Sequence, residues 1–326
     1  MHRTSQRILP KGGCCRCPIC KSGETHYRHD LFDSEELAWN RNVEIYSCGG
    51  CGNFFSIVSG EKVTYDDEYY VFSNHRISAD KAFAAHCWDW LAKRTCVSNK
   101  RLLDIGCGRG FFCHLAREAG LRVKGLEPAP RAAEEARRND IPAVSGIFEL
   151  CDLAKSEFDI VTMWDVLEHF KDPGRCLMKA NEILGENGVL AVSVPNHSSI
   201  FAAVAGPFWK GYNLYHVSHF NRSGIVWLLR RHGFGVVDLD YHDNNLFSRE
   251  GRFRLGLRDR VKATLLRFPG GRRALLRRRK GIETEEIITG HNDYLSKGGN
   301  LFVKSFERII KYCGLGDQIR LLAKKE

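Results

Sequence analysis

Two Cys-x-x-Cys pairs stand near the start of the chain, Cys17-Pro18-Ile19-Cys20 and Cys48-Gly49-Gly50-Cys51. A pair at this spacing lets two thiolates reach one ion while nearby backbone N–H groups face the sulfurs, and two pairs complete a tetrahedral zinc site. Four sulfur ligands leave no open coordination position, so such a Zn2+ is structural rather than catalytic. Cys14 also lies three residues before Cys17, which leaves Cys14 and Cys15 as rivals for the register. A second feature is the glycine-rich run Asp104-Ile105-Gly106-Cys107-Gly108-Arg109-Gly110. Glycines at alternate positions permit a tight turn and a close approach of backbone to a ligand. The G-x-G-x-x-G dinucleotide fingerprint would need a small residue at position 111, where the chain has Phe111, and no Gly-Lys-Ser/Thr follows to make a phosphate loop.

These groups need elements to position them. From residue 101 to 242, short apolar runs alternate with amphipathic ones, the pattern of successive βαβ units. Strands are predicted at Arg101–Ile105, Leu121–Leu126, Ala143–Ser145, Phe158–Met163, Gly188–Val194 and Gly235–Asp240. Helices are predicted over Phe111–Ala119 and Arg131–Asn139, and a third starts near Pro173 and is framed at its end by Gly185 and Gly188. Such units form an α/β fold with a parallel sheet covered on both faces, and its ligands bind at the carboxyl ends of the strands.

Several motifs in this region carry a family resemblance. Leu103 to Gly110 resembles the first motif of class I S-adenosylmethionine (SAM)-dependent methyltransferases. Glu127, in Gly125-Leu126-Glu127-Pro128, resembles their ribose-binding acid, and Phe158 to His169 resembles their fourth-strand motif. Gly188-Val189-Leu190 with Val194-Pro195-Asn196 resembles the fifth-strand motif, and Tyr215-His216-Val217-Ser218-His219-Phe220 a short segment before the next helix. The resemblance implies a Rossmann-like, seven-stranded sheet closed by Gln318–Lys324. It also implies SAM as cofactor: Asp104 at the methionine amino end, Gly106, Cys107 and Gly108 along the turn, Glu127 on the ribose hydroxyls, Trp164 and Asp165 beside the sulfonium. A carboxylate suits the ribose because it accepts from both hydroxyls at once. One departure stands out. The family's adenine-binding acid after the third strand is missing from Ser145-Gly146-Ile147-Phe148, which leaves Glu149, a backbone group or apolar contact.

Methyl transfer depends on alignment, and a base is needed only where the acceptor must shed a proton. His169, His216 and His219 are the candidate bases. Tyr212, Tyr215, Trp164 and Trp209 could wall the cation with aromatic faces. Glu168 is read as a local cap or ion pair, and Cys107 as a small space-filler rather than a nucleophile. Cys17-Pro18-Ile19-Cys20 followed by Gly23 resembles a zinc-ribbon knuckle, which favours Cys17 and Cys20 over the Cys14 register. A ribbon, the acidic aromatic run from Tyr65 to Phe72 and a methyltransferase in this order resemble bacterial methyltransferases of polysaccharide and natural-product pathways.

The expected organisation is a zinc-ribbon-like module over 1–60, a partly helical connector over 61–100 and a methyltransferase domain over 101–326 with a basic insertion at about 245–312. The chain's net charge of +10 is concentrated: residues 249–280 hold thirteen Lys/Arg against Glu250 and Asp259. That segment is read as a contact with anionic membrane or a lid, and nucleic acid is disfavoured because only Phe253 and Phe268 could stack. No run approaches the ~20 apolar residues of a membrane span, and the polar start lacks an export signal, so a cytoplasmic location is expected, with peripheral contact at the inner membrane face. The acceptor is expected to be a small molecule, a sugar nucleotide or a lipid-linked saccharide. The rival readings are an RNA methyltransferase using ribbon and basic segment as a clamp, and a non-catalytic scaffold.

Overall fold

The computed structural model describes residues 15–33, 38–59, 77–242 and 313–326. Cys14, the aromatic run from Tyr65 to Phe72 and the basic segment 249–280 lie outside the described residues. Three antiparallel strands open the chain: β1 (Thr25–Asp33), β2 (Ala38–Cys48) and β3 (Phe54–Val58). Helix α1 (Ile77–Ala92) leads into the alternating region. There the order is β4 (Arg101–Ile105), α2 (Phe111–Glu118), β5 (Arg122–Glu127), α3 (Pro130–Arg138), β6 (Ala143–Ser145) and β7 (Phe158–Trp164). It continues with α4 (Pro173–Ile183), β8 (Leu184–Pro195), α5 (Ile200–Ala205), β9 (Ser218–His219), α6 (Arg222–Arg231), β10 (Phe234–His242) and β11 (Gln318–Lys325).

Seven of these strands form one mixed sheet in the order β10-β11-β8-β7-β4-β5-β6, with β11 antiparallel to both neighbours. Strand β7 shows why the centre reads as an apolar run. Ile160, Val161 and Met163 are all buried, because both faces of a parallel sheet are covered. Leu103, Val161 and Met163 pack with Cys176, Leu177 and Ala180 of α4, whereas Leu102 and Ile160 pack with α1 and α2 on the other face. The chain leaves β4 for β5 and β6 and then returns to β7 on the other side, so the switch point lies between β4 and β7. The predicted strands match within a few residues, except that α4 stops at Ile183, before the two glycines. Leu184 already pairs with Phe158, and the register shifts before Ile160 meets Val189, so Gly185 and Gly188 lie in a distorted strand start rather than a helix end.

The second sheet was not foreseen as a whole. Its order is β1-β2-β3-β9, so its fourth strand comes from residues 218–219, far along the chain. No helix among the described residues is long and apolar enough to cross a membrane.

Helix α5 and the turn Gly206–Phe208 after it are fastened to the start of β11 by one buried carboxylate. Asp317, 3% exposed, accepts from Ser199 Oγ at 3.2 Å and from Trp209 Nε1 at 3.0 Å, while its carbonyl accepts from Asn196 N. Asp317→Ala leaves both donors buried without that acceptor. Urea denaturation is expected to show a loss of about 1–3 kcal/mol, the desolvation cost of buried polar groups. A change below about 0.5 kcal/mol, the ordinary surface value, contradicts this role for Asp317.

Candidate functional site

The turn after β4 exists because three glycines accept left-handed backbone. Gly106, Gly108 and Gly110 have φ of 72°, 53° and 78°. Gly106 N and Cys107 N both donate to Leu126 O at the end of β5, which pulls the turn against the neighbouring strand. A Cβ on Gly106 would fall 2.5 Å from Val166 Cγ2, so that face of the turn is closed. Gly108 differs: no atom among the described residues would lie within 4 Å of an added Cβ. Arg109 is buried and pairs with Glu135 at 2.9 Å and Asp80 at 3.7 Å, stapling the turn to α3 and α1.

Glu127 ends β5 beside this open space. Its Oε2 accepts from Gly108 N and its Oε1 from Ala129 N, both at 2.9 Å, so its orientation is fixed while each oxygen keeps further acceptor capacity. Burial raises its pKa against those two hydrogen bonds. Asp104 lies one strand away, opposite Gly125 and Thr162 in the two registers. It accepts from Thr162 Oγ1 at 2.6 Å and from the Cys113 thiol at 3.7 Å, and burial pushes its pKa up to about 7.

At the end of β7, Trp164 is packed by Phe112 and Trp90, with ring centroids 5.3 and 6.1 Å away. Its buried indole N–H has no acceptor among the described residues. Asp165 takes a positive φ of 55° and is clamped by Ser193 Oγ and Gln318 Nε2 at 2.8 and 2.6 Å. After β6, Phe148 is buried while Ile147 is 52% exposed, so the place of the missing acid is bordered by an accessible apolar side chain. An open backbone cradle at Gly108, an oriented carboxylate, an apolar edge and a buried N–H at one end of the sheet fit a nucleoside carrying a cationic amino-acid arm.

His169 and His216 meet although 46 residues separate the interacting segments. Their rings lie edge to face with centroids 4.8 Å apart. His169 Nδ1 faces Tyr215 O at 3.0 Å and His216 Nδ1 faces Gly211 O at 2.8 Å. A carbonyl only accepts, so each Nδ1 carries its hydrogen and the proton-accepting nitrogen of each neutral ring is Nε2. His216 Nε2 lies 3.9 Å from Oε1 of Glu168, whose side chain is fully buried. Ligand-type atoms of Glu168, His169 and His216 all fall within 4.8 Å of one another. Burial lowers the His169 pKa and keeps that ring neutral. Glu168, read from sequence as a local cap or ion pair, is a member of this cluster, its partner His216 lying far along the chain.

His219 is placed differently. It is 2% exposed, its Nε2 is 2.8 Å from Ser56 Oγ, and it sits in β9 beside the N-terminal sheet. Burial drives its pKa well down. This histidine belongs to the fourth strand of the N-terminal sheet, and it stands outside the Glu168 cluster. Tyr212 packs edge-on against His219 and Trp209.

The four knuckle cysteines converge. Cys17 and Cys51 sulfurs are 3.8 Å apart and Cys20 and Cys48 sulfurs 3.4 Å, with all four within 4.8 Å. Sulfurs about 2.3 Å from a central zinc ion form a tetrahedron with edges of about 3.8 Å, so the donor set and spacing fit. Cys15 turns instead toward Thr25, whose Oγ1 lies 3.2 Å from its sulfur.

A family profile described as "Methyltransferase domain" matches residues 77–239, half of the chain. Among named relatives, the ubiquinone biosynthesis O-methyltransferase of Xanthomonas campestris pv. campestris (strain B100) is 27% identical over 124 residues, covering 36% of this chain and 52% of the relative. The mitochondrial enzyme of that name from Schizosaccharomyces pombe is 32% identical over 109 residues, covering 31% and 40%. The chain thus spans about half the length of the relatives it matches. Two solved structures share the fold. A SAM-dependent methyltransferase from Archaeoglobus fulgidus aligns with a TM-score of 0.51 at 16% identity, covering 79% of this chain and 99% of that one. One from Thermotoga maritima, described as a possible histamine N-methyltransferase, aligns with a TM-score of 0.50 at 17% identity, covering 79% and 98%.

The buried Asp104 makes stability depend on pH. Its pKa stands at about 7 in the fold against an ordinary 3.8. Between those values the folded chain holds a proton that the unfolded chain has lost, so stability falls as pH rises toward 7. Asp104→Asn keeps the acceptor for Thr162 and cannot ionise. In urea denaturation its stability relative to the parent is expected to rise from pH 5 to pH 8; a parallel pH dependence of the two proteins contradicts the burial argument.

Proposed function

The chain belongs to the methyltransferase-domain family with a class I, Rossmann-like fold, and on that premise we propose that it transfers a methyl group from SAM to a small-molecule acceptor. One observation carries the reading: the open cradle at Gly108 lies beside the oriented Glu127 carboxylate, at the carboxyl ends of β4 and β5. Bound SAM supplies an activated methyl on a sulfonium, open to in-line displacement. Glu127 holds the ribose hydroxyls, the Gly106–Gly108 turn with Cys107 lies along the cofactor, and Asp104 orients its amino end. Ile147 supplies an apolar edge for the adenine in place of the missing acid. Trp164 and Asp165 border the position of the sulfonium.

His216 accepts the proton that a hydroxyl acceptor releases. Its Nδ1 hydrogen is committed to Gly211 O, and a proton arriving at Nε2 faces the buried Glu168 carboxylate. His169 packs against that ring and keeps it in place. Both relatives above are named O-methyltransferases, which favours an oxygen nucleophile; nucleotide sugars and lipid-linked saccharides are the acceptors to try first. The four knuckle cysteines hold a structural zinc ion.

Calorimetric titration of zinc-replete protein with SAM and its demethylated product tests the cofactor. Both are expected to bind at micromolar concentrations. Glu127→Ala is expected to weaken SAM about tenfold or more, the loss of charged hydrogen bonds worth roughly 1.5–3 kcal/mol. Absence of binding by folded protein overturns the reading. With a turning-over acceptor found from a panel, His216→Ala is expected to slow methyl transfer by about 10²–10⁴ while SAM affinity stays within twofold. An unchanged rate removes His216 from the proton path.

A further inference from the structure

The segment that carries His216 is held from two sides. The Val217 N–H donates to Glu168 O at 2.9 Å, on the catalytic-cluster side, and its carbonyl accepts from Ser56 N at 2.9 Å, on the ribbon side. Ser218 and His219 then pair with Phe55 and Phe54 of β3, and Ser56 Oγ reaches His219 Nε2. Strand β9 has only two residues. A pairing that short has no stability of its own, so β3 supplies the partner on which it depends.

Strand β3 starts directly after the second knuckle. Between them lies Asn53, which is fully buried. Its Nδ2 donates to Cys51 Sγ at 3.5 Å, and its Oδ1 accepts from Asn221 N at 2.9 Å. Asn221 in turn caps α6 by accepting from Gly224 N, and its Nδ2 donates to Gly52 O. A Cβ on Gly224 would lie 1.9 Å from Asn53 Nδ2, so the first turn of α6 rests on the Asn53 amide. An amide that donates to a metal-bound sulfur is the outer contact that fixes a ligand's direction. Here the same amide also fixes the residue that follows β9.

We propose that zinc bound by the four cysteines positions the acceptor-side segment Tyr215–Asn221, and with it His216, through Asn53 and Ser56. Asn53 and Ser56 are positioning residues. The inference rests on the reading of His216 as the proton acceptor, yet its physical content, zinc-dependent order in this segment, is measurable without any acceptor. Without the ion, four sulfurs at these separations lose the charge that gathers them, and the Cys51 knuckle no longer has a fixed direction. Asn53 then loses its anchor, β3 loosens at its first residues, and β9 loses its partner. The central sheet keeps its order, because one face packs on α1 and α2 and the other on α4 as well as on the ribbon residues Ile19, Tyr46 and Phe55.

The test uses the full chain with zinc, followed by amide hydrogen exchange before and after removal of zinc by a chelator, with metal release measured by a chromogenic indicator. Exchange at residues 54–56 and 215–221 is expected to rise about tenfold or more, as for a segment released into local opening. Exchange in β4 and β7 stays unchanged, and SAM affinity stays within twofold. Asn53→Ala and Ser56→Ala are expected to retain zinc and raise exchange at 215–221. Both shift the imidazole ¹⁵N resonances of His216, a signature that mere ribbon stability does not move. If Asn53→Ala does not fold, Ser56→Ala carries the test alone. Continued protection of 215–221 after zinc has left overturns the proposal, and so does simultaneous loss of protection in β4 and β7, which makes zinc a support of the whole fold. Failure of the methyltransferase reading shows separately, as zinc-replete protein that does not bind SAM.

Discussion

The site depends on a backbone constraint: three residues between Asp104 and Phe111 adopt left-handed conformations that side chains with a Cβ rarely tolerate. That turn lets two successive N–H groups converge on Leu126 O. It brings Gly108 N–H to Glu127, and no atom among the described residues would lie within 4 Å of a Cβ on Gly108. It also starts α2 with Gly110 rather than with a capping side chain. Arg109, between two of the glycines, uses the turn to reach Glu135 and Asp80, so the loop is held from outside as well as from the sheet.

Much of this was legible in the sequence. Strand ends are marked by the change from apolar run to glycine or acid, and a parallel sheet fixes where those ends go; the resemblance to methyltransferase motifs then singled out Asp104, Glu127, Trp164 and Asp165 at those ends. The cysteine knuckles were legible because the four sulfurs lie in two short local motifs. The Glu168 cluster was not. His216 reaches Glu168 and His169 only after the stretch 196–217 has folded back, and nothing in local periodicity reports that return. Strand β9 escaped for a related reason: two residues carry no alternation, and their partner lies in β3, more than 150 positions earlier. Asn53, two residues past a knuckle cysteine, carries no sequence sign of its contact with Asn221, 168 positions later.

Glu168 shows what burial does to the meaning of a residue. In an exposed turn a glutamate beside a histidine contributes little, because water screens the pair. Here the side chain is fully buried and the carboxylate lies near His216 Nε2. A charge in that setting stabilises a cationic imidazole strongly and a neutral one hardly at all. An ionised Glu168 and a protonated His216 therefore support each other more than the same pair does in water.

The same logic extends across the end of the sheet. Asp104, Glu127 and Glu168 are buried acids at or just beyond the ends of β4, β5 and β7, in a chain whose net charge is +10. A buried carboxylate whose pKa has risen to about 7 is poorly stabilised without a partner. A cationic ligand arriving beside it favours the ionised form, and the ionised form favours the cation in return.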